Sequence, residues 1–593
     1  MFFLWNFARE PTYLPQRPPI QGIRSTSLAR SYLNTRALFR SLAIISLLLI
    51  TGCAGVQGFP FTLMLVLLLI FIARCNPLTD PDRQDEFWLR YFLFQEKDPP
   101  RTCEATQDYT QNFNLSAVDP ATAGFGFTMT AENTADRFGR GISSAGDFNG
   151  DGVNDFIVSA FHYVTANKNG RAYVVFGRRG QSADLPMSSL TTATGIHITG
   201  AAAGDQLGDS RSISGVGDIN GDGFDDIVVG AYKANSNDGR AYLIFGSASP
   251  MSIDLAGGLS ADAGVVFEGN AGGLNQYLGS AVTGLGDVNG DGFDDLAIGG
   301  KQGTAAGYNG DVHVIYGKAS AFTSPFVIPD NFTSTDGFLV QGEATNDLFG
   351  SAVSRIGDIN NDGIDDLIGG TGDANTNTGA AYVIYGTSGN RSDILMSAGL
   401  SASDGYEIFS TNGAATDWGY SVSTGDFNGD GQQDVAMSST MYDASAGKVA
   451  VIYGHTGQLD LNTLSSGQGF FLTGPGTTNP QAGEAMSLRS DINGDGFDDL
   501  VIGASRTDYN GYNNSGSVFV LFGKDGVPLT GTGMMSLTDG ITGFRIDGPA
   551  TNARFGISLA TADINDDACA DLLIGASQSN SDKAYVIYGG KAR

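Results

Sequence analysis

Asp218-Ile-Asn-Gly-Asp-Gly-Phe-Asp-Asp226 is one of seven versions of a single nonapeptide in this 593-residue chain. The others begin at Asp147, Asp287, Asp358, Asp426, Asp491 and Asp563, and successive first aspartates lie 71, 69, 71, 68, 65 and 72 residues apart. A spacing this regular marks one structural unit used repeatedly, and the period has to be read before any single motif.

Around each nonapeptide the unit carries four short apolar runs. In the second copy these are Leu207-Gly208 to Gly217, Ile227-Val-Val-Gly-Ala231, Ala241-Tyr-Leu-Ile-Phe-Gly246 and Gly264-Val-Val-Phe-Glu-Gly269. Short β-branched and aromatic runs between Gly, Asn, Asp and Ser clusters read as antiparallel strands with tight turns. No stretch here sustains a helical period. Seven four-stranded units fall within the ~4 to 8 blades of a β-propeller, whereas a β-solenoid uses units of roughly 20 to 30 residues. The reading is all-β: a seven-bladed propeller over residues 124–593. Gly124-Phe-Gly-Phe-Thr-Met-Thr130 matches the fourth strand of a unit, as in Gly543-Phe-Arg-Ile-Asp-Gly548, yet precedes the first nonapeptide, while the last unit ends at Ala584-Tyr-Val-Ile-Tyr-Gly589 without one. Residues 124–130 are therefore expected to complete the seventh blade and latch the ring, which removes two open sheet edges.

The nonapeptide has the donor pattern of a calcium loop. Oxygen ligands at positions 1, 3 and 5, a sharp turn at 6, a backbone carbonyl at 7 and a closing carboxylate describe how a short loop wraps Ca²⁺. Position 1 is Asp147, Asp218, Asp287, Asp358, Asp426, Asp491 and Asp563; position 3 is Asn149, Asn220, Asn289, Asn360, Asn428, Asn493 and Asn565. Position 5 is Asp151, Asp222, Asp291, Asp362, Asp430, Asp495 and Asp567. The carbonyl would come from Val153, Phe224, Phe293, Ile364, Gln432, Phe497 and Cys569, and the last carboxylate from Asp155, Asp226, Asp295, Asp366, Asp434, Asp499 and Asp571. A single copy reads equally well as a solvated hairpin turn; seven in register do not, because clustered carboxylates repel unless a cation joins them. Up to seven Ca²⁺ are expected. The seventh site is expected to be weakest, since Ala568 replaces the position-6 Gly at a cost if that residue needs φ > 0.

The formal charge of −30 follows from these loops, which hold 26 of the 63 acidic residues and no Lys or Arg. The other 37 acids nearly balance 33 bases. Such acidity argues against nucleic acid or an anionic membrane surface as partner. Four cysteines, Cys53, Cys75, Cys103 and Cys569, exclude a disulfide-dense scaffold. Cys569 is placed to pair with Cys103, upstream of the latch strand; the alternative is a small residue in a loop.

Residues 1–75 differ from the rest. Six arginines and one acid occupy the first 40 positions, followed by apolar runs at 42–50 and 61–73. A basic region before an apolar core reads as an export signal or interrupted signal-anchor, with Met64 an alternative start. Leu49-Ile-Thr-Gly-Cys53 resembles a bacterial lipobox, which makes Cys53 a candidate lipidation site; Cys75 follows Arg74, where a small residue is expected. Residues 76–123 read as a polar tether. The chain is expected to be exported and to meet a membrane only through this anchor.

The repeats resemble the FG-GAP repeats of integrin α-subunit propellers, in the manner of bacterial integrin-like proteins. The resemblance rests on Phe138-Gly139, Phe349-Gly350, Trp418-Gly419 and Phe555-Gly556, on the acidic loops, and on Gly230-Ala231 and Gly503-Ala504; Ala482-Gly483 and Ser438-Ser439 depart from it. It implies that the acidic hairpins join strands 1 and 2 on one face while the 2-to-3 connections lie on the other. Those connections carry Tyr163, Tyr232, Tyr308, Tyr442, Tyr509 and Tyr512, a candidate face for a protein or glycan ligand, or else side chains packed against neighbouring blades. No unit has room for an inserted adhesion domain. The function expected is adhesion or ligand binding without catalysis. The alternatives are a hydrolase propeller, resembling the accessory repeats of a glycosylphosphatidylinositol phospholipase D, or a purely structural surface protein. The four histidines, His162, His197, His313 and His455, occupy non-equivalent places and form no zinc-binding pair.

Overall fold

The structure is a computed structural model. It describes Cys103, residues 112–116 and residues 119–590, apart from short segments at 164–166, 181–182, 271–274, 304–308, 329–331, 373–378, 412–415, 477–478, 526–532, 538–541 and 578–581. The basic N-terminal segment with Cys53 and Cys75, most of the tether, and Tyr308 lie outside the described residues.

Seven antiparallel sheets follow one another along the chain as the blades of a β-propeller. Blade 1 shows the pattern. Phe138–Gly146 pairs with Asp155–Ala160, that strand with Arg171–Val175, and the last with Gly195–Thr199. The acidic nonapeptide is the hairpin between the first two strands, so Phe138-Gly139 and Asp147 stand at opposite ends of the innermost strand. Nine residues at about 3.3 Å each separate the two propeller faces by most of 30 Å.

The second strand of six blades is buried along its whole six-residue length, as in Asp226–Ala231 and Asp499–Ala504. It packs on both faces, which explains its unbroken apolar sequence. The cores accordingly form between blades. Ile157 and Val174 of blade 1 join Ile227 and Val229 of blade 2 in one cluster, and Phe138 and Tyr173 of blade 1 join Leu573 and Val586 of blade 7 in another.

Gly126–Thr130 pairs antiparallel with Lys583–Ile587 over five residue pairs, so the seventh blade is built from both ends of the propeller segment. Phe127 and Met129 of this strand are buried.

The unit is larger than the four strands its sequence displays. A two- or three-residue strand from the 3-to-4 connection of the following blade lies parallel to the outer strand: Ile253–Asp254 on blade 1, Phe326–Ile328 on blade 2, Ile394–Leu395 on blade 3 and Leu459–Asp460 on blade 4. Leu185–Pro186 does the same for blade 7. At blade 5 the contact is a single bridge, Thr473 to Gly533. Blade 6 takes its fifth strand from Phe113–Asn114, just upstream of the strand that completes blade 7. Each outer edge is thus covered by the next blade, which protects it from pairing with another chain.

Cys103 and Cys569 form a disulfide across a sequence separation of 466 residues. It ties the chain ahead of the latch strand to the hairpin of the last blade. Cys103→Ser is expected to cost about 2–4 kcal/mol of stability, seen as a lower melting temperature that reductant no longer lowers further.

Candidate metal centres

Each hairpin folds around its own carboxylates. In blade 1 the backbone N–H of Asp151 donates to Asp147 Oδ1 at 2.9 Å and to Asn149 Oδ1 at 2.8 Å. Gly152 N–H donates to Asp147 Oδ2 at 2.9 Å, and Val153 N–H to Asp151 Oδ1 at 3.0 Å. The same four bonds recur in blades 2 to 7, ending with Asp567, Ala568 and Cys569 on Asp563, Asn565 and Asp567. The turn requires a left-handed residue at position 6. Gly223 and Gly292 have φ of 92°, and Ala568 is held at 68° in the seventh copy, so its Cβ carries the expected strain.

The position-9 carboxylate is the anchor. It is 0–1% exposed in all seven blades. One oxygen accepts the N–H of the glycine two residues past strand 3, from Gly177 and Asp155 in blade 1 to Gly589 and Asp571 in blade 7. The other oxygen accepts an N–H from the start of the hairpin in every blade but the second, where Asp226 Oδ2 is buried without a hydrogen-bond partner. Burial, with the position-5 and position-1 carboxylates adding repulsion, pushes Asp155, Asp226 and Asp295 up to about 8 and Asp366 and Asp434 up to about 7. Asp499 and Asp571 are raised for the same reasons.

Position 8 has a role its sequence pattern did not disclose. Asp225, Asp294, Asp365 and Asp498 accept the backbone N–H of the first aspartate of the preceding blade at 2.7–3.1 Å. Position 7 also faces the preceding hairpin: a Cβ on Gly150 would stand 2.4 Å from the Phe224 ring, and one on Gly221 2.6 Å from the Phe293 ring. Between blades 6 and 7 the disulfide takes that place, with Cys103 Sγ 2.5 Å from where a Gly494 Cβ would be. The acidic hairpins of blades 1 to 4 are therefore linked in series, as are those of blades 5 to 7. Among the described residues no group of three or more His, Cys, Asp and Glu side chains stands as a formed metal cluster; the loop carboxylates bond to their own backbone.

The tyrosines do not form an exposed platform. Tyr163 lies 3.6 Å beneath the Arg171 guanidinium and donates to Glu132. Tyr232 donates to Gln206 and packs 6.0 Å from Tyr277. Tyr442 lies under Lys448 and Tyr509 under Arg545, at 4.4 and 4.2 Å, and Tyr512 bridges to Tyr509. All five are half-buried. A cation from a nearby strand takes up the π face of several of them.

The FG-GAP repeat model matches residues 138–175, 211–244, 278–315, 418–452, 482–521 and 555–588, which covers the first three strands of six blades. This chain is an FG-GAP repeat protein. Its fourth blade is outside those segments but has the same hairpin and strand pairing. Integrin alpha pat-2 of Caenorhabditis elegans is 33% identical over 117 residues, 20% of this chain and 9% of that protein. Integrin alpha pat-2 of Caenorhabditis briggsae is 31% identical over 234 residues, 38% of this chain and 17% of that one. Phosphatidylinositol-glycan-specific phospholipase D of Bos taurus is 29% identical over 160 residues, 26% of this chain and 18% of the enzyme. The FG-GAP chain thus spans less than a fifth of the length of each. The solved Dos1 propeller covers 74% of this chain and 76% of its own at 11% identity, with a TM-score of 0.34. No helix among the described residues of the FG-GAP chain is long and apolar enough to cross a membrane.

Proposed function

We propose that this protein is an exported or cell-surface propeller that binds calcium at its seven acidic hairpins and uses the opposite face to hold a protein or glycan ligand. The observation that carries the calcium reading is the seven buried position-9 carboxylates, each beside two further loop carboxylates. No lysine or arginine ion pair is formed by any position-1, 5 or 9 aspartate among the described residues. Burying a carboxylate is costly unless a positive charge or full hydrogen bonding compensates it. Asp, Asn and carbonyl oxygens are the donors a hard cation prefers, and Ca²⁺ accepts an all-protein cage more readily than Mg²⁺ does. Asp218, Asn220, Asp222 and Asp226 would hold it in blade 2, with the Phe224 carbonyl.

The ligand-binding half of the reading is supported by the likeness to integrin α chains and by the division of the propeller into an acidic face and a distinct opposite face. The Cys103–Cys569 disulfide suits an oxidising compartment, which supports export. Binding, not catalysis, is the role inferred: His313 is buried against Gln276 and His197 bonds to Ser252, so neither stands ready as an acid or base. The test is a protein and glycan array probed with the full chain, in calcium and then in chelator. Calcium-dependent retention of a ligand is expected. Equal retention in both, with no metal in the protein, would overturn the calcium-supported module.

A further inference from the structure

The face opposite the acidic hairpins gathers arginines from three adjacent blades at the channel mouth. The residue just before the FG position is held left-handed in six blades, as Arg137, Gln206, Tyr277, Leu348, Gln481 and Arg554, with φ between 49° and 61°. Non-glycine residues seldom adopt this conformation, and they cluster where a structure aims side chains for a purpose. In the adjacent blades 7 and 1 that residue is arginine. Arg506 opens the 2-to-3 connection of blade 6 beside them, and Arg140 follows the FG position of blade 1 into the central channel. There it lines a cavity of about 140 Å³ with Tyr420 and Glu484.

The balance of charge at this mouth is uneven. Arg140 pairs with Asp209 at 3.3 Å and reaches Glu484 at 4.0 Å. Among the described residues the guanidinium groups of Arg137, Arg506 and Arg554 make no ion pair, and the Nε atoms of Arg506 and Arg554 are buried without a hydrogen-bond partner. Burial and then Arg506, with Arg140 and Arg137 further contributing, lower the proton affinity of Arg554, and Glu484 opposes them. Beneath lie Asp136 and Asp582, both buried and both raised by burial; Asp582 accepts the backbone N–H of Arg137. His162 is driven down to about 4 by burial and then by Lys168 and Arg137, a field that extends to Lys233. A buried guanidinium donor without an acceptor is costly in a finished structure, and a chain of net charge −30 has carboxylates to spare elsewhere.

We propose that Arg137, Arg506 and Arg554 form a recognition site for the carboxylate side chains of an acidic polypeptide partner, at the channel mouth opposite the hairpins. This rests on the ligand-binding reading above and supplies its chemistry. Guanidinium takes carboxylate in paired, charge-assisted hydrogen bonds, and Arg with Tyr is the composition of protein interfaces. Tyr232 and Tyr277 stand beside the crescent with Lys233 and Lys301 against their rings.

The test is fluorescence anisotropy of a labelled octaglutamate peptide with the calcium-loaded full chain at about 50 mM salt, where screening is modest. Asparagine tolerates the left-handed conformation, so Arg137→Asn with Arg554→Asn removes charge without new strain. That double variant is expected to bind about tenfold more weakly or worse. Arg179→Asn on the hairpin face, where Arg179 pairs with Asp566, is expected to bind like the parent. Octalysine is expected not to bind at the mouth. The inference is overturned if the parent ignores the acidic peptide, if the double variant binds it unchanged, or if polygalacturonate binds the same arginines in preference to the peptide. Loss of peptide binding alongside an intact, calcium-dependent array ligand would remove this site and leave the broader reading in place.

Discussion

Met129→Asp is expected to prevent the ring from closing, leaving a chain that melts at markedly lower temperature, without a single cooperative step. Met129 is wholly buried in the strand Gly126–Thr130, which forms the fourth strand of blade 7 against Lys583–Ile587. Its neighbours in the core include Phe138 and Tyr173 of blade 1 and Leu573 and Val586 of blade 7, so one side chain joins the two ends of the propeller. A carboxylate there has no cation to meet, and an unpaired buried charge belongs to the class of substitutions that cost about 4 kcal/mol or more. Met129→Leu conserves volume and is expected to cost less than about 1.5 kcal/mol. Thermal melts followed by circular dichroism separate the two; an aspartate variant that melts within a degree or two of the parent would show that the latch is dispensable.

Chelation is expected to have the other large effect. A ligand that binds only the folded state stabilises it by about 2.7 kcal/mol per site at a hundredfold excess over Kd. Several such sites, set against an unfolding entropy of about 2 cal/mol/K per residue, move the melting temperature by on the order of ten degrees or more. Neighbouring sites are coupled, because the position-8 aspartates of blades 2, 3, 4 and 6 tie each of those hairpins to the one before it. Loss of metal from one hairpin is therefore expected to loosen the hairpins linked to it as well. Asp291→Asn, at an exposed position 5 in blade 3, removes a charge without disturbing the core and is expected to reproduce a fraction of the shift. A melting curve indifferent to both chelator and calcium would contradict the reading.

What was legible in the sequence, and what was not, follows from the range of each interaction. The nonapeptides declare blade number and hairpin position because their donors and acceptors lie within nine residues of one another. The latch strand was legible as well, since Gly126–Thr130 repeats a pattern that the last unit lacks. The fifth strands were not. Leu185–Pro186 and Ile253–Asp254 are two residues long, too short for an alternating pattern, and they pair with a different blade. The position-8 aspartates looked like part of the metal loop because sequence shows only that they are acidic; their acceptor role is to the preceding blade. The surroundings of the tyrosines were not legible for a related reason. Arg171, Lys448 and Arg545, which cover Tyr163, Tyr442 and Tyr509, arrive from strand 3 or strand 4 of the same blade. The arginines at the channel mouth come together from three blades, and only the left-handed backbone at Arg137 and Arg554 marks the position they share.

The claim on which the account stands is that the acidic hairpins hold calcium. Elemental analysis of the purified full chain, equilibrated with calcium and freed of unbound metal, tests it directly. The account predicts six or seven calcium ions per chain, the blade with Ala568 being the first to lose its ion as free calcium falls. Fewer than one ion per chain would contradict it.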